Sequence, residues 1–270
     1  MTAIASTIWA RGGAADRPEA QALSGGQVHV WLVRWEGLAE EAAVDAWEEF
    51  LDAGERDRCR RLGPGDARRQ YVAGHGLVRQ TLSRYADVEA RAWRFAPGPH
   101  GKPQIAQPAE AEWLGFNLSH THGLAACAVA AGLEVGVDVE RVDSGEAIEE
   151  AAELFLAPSE RADCAGLAGA ARTRRLYEYW TLKEACTKAL GVGLALPPAS
   201  AAFGFDARGG ILVRVEGGQA DEGWRFALSA PTSRHRLATA VRARGFQGVT
   251  IIERPVELAT VAGLQVEVLA

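Results

Sequence analysis

The sequence predicts an α+β protein made of two similar α/β halves. Three observations predict it. β-rich segments alternate with amphipathic helical stretches, and each half carries several strands and one long helix. No G-x-G-x-x-G turn marks a dinucleotide-binding parallel sheet, so antiparallel sheets are expected. The halves meet near residue 135, which gives residues 28–134 and residues 135–270. Residues 1–27 are expected to be a flexible leader, because residues 11–26 are rich in Gly, Ala, Pro and Asp.

The elements follow in order. Residues 28–35 (VHVWLVRW) alternate and are β-rich, the pattern of a strand. Residues 42–62 read as helix, broken by Gly63-Pro64-Gly65. Asp66 can cap a long helix through Tyr85, with Tyr71, Leu77, Val78 and Leu82 as its apolar stripe. Residues 97–103 (PGPHGKP) form a turn-rich loop, and residues 116–118 a short strand. Residues 125–131 and 135–139 read as a strand pair joined by Gly132. Helices are expected over 144–155, from Pro158 onward, and over 171–190, where Gly191 and Gly193 stop the last one. The tail returns to strands over 211–216, 224–229, 237–242 and 248–254.

The chain has 270 residues and a net charge of −6, which argues against general nucleic-acid binding. Its longest apolar run, about ten residues over 124–133, is half of what a membrane span needs. The N-terminus lacks a basic region followed by an apolar core, so a cytoplasmic location is expected. Cys59, Cys127, Cys164 and Cys186 form no C-x-x-C pair and read as reduced thiols. Charge is segregated: residues 54–94 hold ten arginines against five acids, and residues 134–163 hold ten acids against two arginines. That is either two solvated helix faces or an anion site beside a cation site.

Val135-Gly136-Val137-Asp138-Val139-Glu140 places the chemistry. Strand alternation turns Val137 and Val139 to the core and Asp138 and Glu140 to the opposite face. Two carboxylates that close repel unless a cation lies between them, and oxygen-only ligands point to Mg²⁺ or Mn²⁺ rather than zinc. An exposed sheet edge is the alternative. On the helix WTLKEACTKALGVGL, Leu182, Cys186 and Ala189 form the apolar stripe, and Glu184 and Lys188 are i, i+4 neighbours on another face. Glu184 can serve as third metal ligand or base, with Lys183 and Lys188 as phosphate contacts; a surface ion pair is the alternative. Ser119 and His120 are adjacent on a strand and point to opposite faces, so they are no nucleophile–base dyad. The block Phe116–Gly123 reads instead as a polar strand end suited to phosphate oxygens. In His100-Gly101-Lys102-Pro103 the glycine admits a close ligand and the lysine meets its charge; alone the signal is weak, and a plain surface turn is the alternative.

An Arg-rich helix, GKP, FNLSH, GVDVE and WTLKEACTKALGVGL occur in that order. Together they resemble the 4′-phosphopantetheinyl transferase family, in its longer surfactin-synthetase-activating (Sfp) type. The resemblance covers roughly residues 28–242 and is most specific in the last two blocks. It implies two similar halves in pseudo-twofold arrangement, with coenzyme A at the junction. It implies that Asp138, Glu140 and Glu184 hold Mg²⁺, with Mn²⁺ as the alternative, and that Glu184 and Lys188 are catalytic. Coenzyme A would be contacted by Arg58, Gly101, Lys102, Ser119, His120, Lys183 and Lys188, with Arg56 and Arg69 as alternatives to Arg58. The acceptor would be a serine of an apo acyl or peptidyl carrier protein, the product adenosine 3′,5′-bisphosphate, and the enzyme a monomer acting on neither nucleic acid nor membrane. A different Mg²⁺-dependent nucleotide enzyme, or a non-catalytic binding module, are the rival readings.

Overall fold

A computed structural model of the chain describes residues 23–37, 41–193, 197–215, 223–243 and 248–256. The leader as far as residue 22, and Leu194 at the end of the second long helix block, lie outside the described residues. The elements run β1 (Gln27–Arg34), α1 (Glu41–Glu48), α2 (Ala53–Leu62), α3 (Asp66–Leu82), β2 (Arg94–Pro97), β3 (Pro103–Gln107), β4 (Leu114–Thr121), β5 (Leu124–Ala131) and β6 (Glu134–Arg141). They continue with α4 (Glu146–Phe155), α5 (Pro158–Ala165), α6 (Gly169–Leu190), β7 (Ala201–Phe205), β8 (Ile211–Val215), β9 (Trp224–Ser229), β10 (His235–Arg242) and β11 (Thr250–Pro255).

Two sheets stack between two sets of helices. The first has the order β11-β1-β5-β4 and the second β6-β10-β9; two hairpins, β2-β3 and β7-β8, stand apart. Side-chain alternation builds the layers. Trp31 and Val33 of β1 and Cys127 and Val129 of β5 face α1, α2 and α3 in one core. Val28, Val30 and Leu32 turn the other way and meet Val135, Val137 and Val139 of β6 in a second core between the sheets. Ala238 and Ala240 of β10 pack with Leu182, Ala185, Cys186 and Ala189 of α6 in a third. Each fully buried aliphatic side chain in these layers contributes about 1.5–3 kcal/mol relative to exposure. The fold is α+β, and each half is a sheet backed by one long helix.

Several local expectations change. The helix expected over 42–62 is two helices, because Asp52 starts α2 with a reciprocal cap: its Oδ1 accepts from Glu55 N (2.9 Å) and its own N–H donates to Glu55 Oε2 (3.1 Å). Asp66 is the first residue of α3 rather than its cap, a place taken by Gly65, and Asp66 pairs with Arg69. β5 and β6 do not pair with each other. β5 lies between β1 and β4, and β6 pairs with β10, so the link through Gly132 carries the chain from one sheet to the other. β11 returns to the first sheet and runs parallel to β1, so the sheets are not wholly antiparallel. The four cysteines are buried and none of them forms a disulfide. Among the described residues no helix is long and apolar enough to cross a membrane.

Candidate functional site

The site begins with a glycine. A Cβ on Gly136 would lie 2.1 Å from Ala185 O and 2.4 Å from Ala189 N, so only glycine lets α6 sit directly on β6. Two and four residues further along the same face stand Asp138 and Glu140, opposite the α6 residues Lys188, Glu184 and Trp180, which recur every four positions and share one helix face.

Asp138 is buried. Its Oδ1 accepts from Lys188 Nζ (2.5 Å) and from Ser119 Oγ (3.0 Å), while Oδ2 is buried with no hydrogen-bond partner. Burial, then the neighbouring Asp138 carboxylate, push Glu140 up to about 7, with Glu184 adding to the rise and Trp180 and Lys188 opposing it. Glu184 is raised for the same first two reasons and pulled back by Lys188. Trp180 Nε1 donates to Glu140 Oε1 (3.1 Å), and its ring packs edge-on against Phe155 of α4. Two carboxylates of raised proton affinity, Glu140 and Glu184, lie near a buried Asp138 oxygen that lacks a partner, and oxygen donors of this kind suit a hard divalent cation. Among the described residues no three acidic, histidine or cysteine side chains form a ready-made metal cluster.

The first half supplies the opposite wall. Ser119 Oγ accepts from Lys188 Nζ (3.0 Å) and Val139 N (3.2 Å) while donating to Asp138, so it is committed to β6 rather than presented as a free phosphate contact. His120 points to the other face of β4, as alternation requires, and its Nδ1 accepts from Gln70 Nε2 of α3 (2.6 Å). Burial, Lys188 and His75 lower its pKa. Arg58 is exposed on α2, its guanidinium 5.9 Å from the Tyr71 ring, which in turn stacks on His75 at 4.1 Å. His75 Nδ1 bonds Glu55 Oε1 (2.9 Å). Gly101 has φ +86° and open space around its Cβ direction, as a backbone approached by a ligand requires.

Two predicted contacts go elsewhere. Lys183 lies on a different face of α6, buried with Glu160 of α5 (2.9 Å) and donating to Pro198 O (3.0 Å) and to Ala201 O. The 100° step between residues 183 and 184 turns it away from Asp138. Lys102 donates to Val135 O and Ala189 O, both at 3.0 Å, and satisfies a terminal carbonyl of α6 beside the left-handed Gly191 cap. Burial holds Lys102 down to about 8, only partly offset by Glu134. The residues that sequence reasoning overlooked are Gly136, Trp180 and Gln70. A glycine inside a strand and a Trp-Glu-Lys stripe at i, i+4, i+8 were signals for the first two; nothing local marks Gln70.

The 4′-phosphopantetheinyl transferase superfamily matches residues 134–241, the stretch from β6 through β10. The chain is similar to 4′-phosphopantetheinyl transferase HetI of Nostoc sp., 31% identical over 66% of this chain and 75% of that one. It is also similar to a phosphopantetheinyl transferase of Thraustochytrium sp., 30% identical over 82% and 81%. Among solved structures, a holo-(acyl-carrier-protein) synthase from Bacillus anthracis str. Ames in complex with CoA (3′,5′-ADP) is 20% identical, covering 40% of this chain and 95% of that one with a TM-score of 0.37. With relatives this similar over most of their length, the chain belongs to the 4′-phosphopantetheinyl transferase family and is an enzyme.

Proposed function

We propose that the protein transfers the 4′-phosphopantetheine arm of coenzyme A to a serine of an apo acyl or peptidyl carrier protein, in the cytoplasm, as a monomer, with Mg²⁺ required and adenosine 3′,5′-bisphosphate released. The observation that carries this reading is the buried Oδ2 of Asp138 without a partner, set beside Glu140, Glu184 and Lys188. Asp138, Glu140 and Glu184 would hold Mg²⁺ or Mn²⁺, which when bound neutralises the charge of the diphosphate.

The chain's own groups do the rest. Lys188 draws phosphate oxygens toward the carboxylates and stabilises charge developing on the leaving phosphate. Glu184, whose proton affinity is raised by burial and by Asp138, takes the proton of the carrier serine, directly or through a water. The serine oxygen then bonds to the β-phosphorus as the bond from that phosphorus to the bridging oxygen breaks. Arg58, Gly101 and His120 are the remaining candidates to contact coenzyme A. Lys102 and Lys183 are committed to carbonyls and to Glu160 and leave this set.

The test is direct. The protein is incubated with an apo carrier, coenzyme A and Mg²⁺, and the carrier is weighed by mass spectrometry. A gain of one phosphopantetheine, lost on chelation, is expected. Hydrolysis of a nucleotide with the carrier unmodified would overturn the reading.

A further inference from the structure

We propose that Asn117 and Thr121 are positioning residues that set the register of β6 against β4 and thereby aim its carboxylates; this rests on the metal role proposed for those carboxylates. β4 and β6 are edge strands of different sheets. No backbone ladder joins them. Instead, Asn117 Oδ1 accepts from Val137 N (2.8 Å), Ser119 Oγ from Val139 N (3.2 Å) and Thr121 Oγ1 from Arg141 N (3.3 Å). The constant separation of 20 residues means that the strands run in the same direction, one side chain standing in for each missing carbonyl.

The placement of these rungs gives them their consequence. They fall on residues 137, 139 and 141, which alternate with Asp138 and Glu140, so the carboxylates cannot slide along the cleft without breaking a rung. Asn117 and Ser119 are buried, and an amide left without its acceptor there loses its hydration with nothing in return. The middle rung does a second thing: Ser119 Oγ binds Val139 N and also fixes Asp138 Oδ1, so the partnerless Oδ2 is left in a defined direction. A seam that only joined two sheets would not need its central member bonded to that carboxylate. On its opposite face β4 presents His120, which is held by Gln70 of α3. Asn117 and Thr121 are placed to act on the reaction only through β6.

The experiment compares Thr121→Val, which keeps shape and loses the acceptor, with Thr121→Ser, which keeps the hydroxyl, and adds Asn117→Ala. Mn²⁺ binding in the presence of coenzyme A is read by electron paramagnetic resonance, alongside the thermal midpoint and the kcat of carrier labelling. Thr121→Val should raise the half-saturating Mn²⁺ concentration by about 3–10-fold with a matching fall in kcat, and Thr121→Ser should restore both. Asn117→Ala should act in the same direction; if it fails to fold, the Thr121 pair decides. Unchanged Mn²⁺ affinity in folded Thr121→Val, or no rescue by serine, overturns the inference. Failure of the unsubstituted protein to label any carrier would instead count against the proposed function, because the Mn²⁺ titration needs no turnover.

Discussion

Lys183 and Lys188 sit five residues apart on one helix and each faces a carboxylate, yet the two pairs differ in kind. Lys183 and Glu160 are both fully buried and fully used: Glu160 also accepts from Ala157 N and Phe203 N at 2.7 Å, and Lys183 donates to two carbonyls. That pair closes α5, α6 and β7 onto one another. Lys188 and Asp138 are 2.5 Å apart, but the lysine is 29% exposed and one aspartate oxygen has no partner. A buried ion pair whose every lone pair is satisfied holds a fold together; one that leaves an oxygen over has room for something else.

The largest effect that bears on this contrast is on labelling. Asp138→Asn keeps the shape and removes the charge, and should cut carrier modification by about a thousandfold or more while the circular dichroism spectrum stays native. A variant that labelled at near-normal rate would erase the distinction drawn between the two pairs.

Lys183→Met should do the converse. It strands a buried carboxylate and should destabilise the protein by about 3–5 kcal/mol in urea unfolding, with kcat per folded molecule unchanged. Lost activity in a fully folded Lys183→Met protein would return that lysine to the site.

A smaller, sharper comparison uses pH. Glu140 is raised from 4.5 to about 7, so the folded protein binds more protons than the unfolded chain between those values. Without a divalent cation, the contribution of Glu140 to stability should therefore fall as pH rises through that window and level off above it. Added Mg²⁺ should lift the thermal midpoint most at the alkaline end, where all the carboxylates are ionised. A Mg²⁺-induced rise in midpoint that is absent, or equal at both ends of the window, would mean that the carboxylates are not coupled through a shared ion.

Much of this was legible in advance because it is periodic. Alternation put Val137 and Val139 in one core and Asp138 and Glu140 on the opposite face, and the helix repeat put Glu184 and Lys188 together away from Leu182, Cys186 and Ala189. Pairing was less legible. The short link through Gly132 resembles a hairpin turn, but β6 finds its partner in β10, about a hundred residues later, while β5 is already held on both edges. Lys183 and Lys102 misled for a related reason: a cation in the sequence advertises an anion, and a buried carboxylate or a helix-end carbonyl answers as well as a phosphate does.

Local repeats, set by the geometry of strand and helix, determined from the sequence alone which acidic side chains share a face and which helix stripe could meet them. Tertiary structure alone decided which lysine is closed off and which stays open, that Ser119 serves β6, and that β4 and β6 meet side by side. Those outcomes depend on partners 20, 50 and 69 residues away along the chain, whose approach is set by packing of the layers rather than by any pattern within one segment.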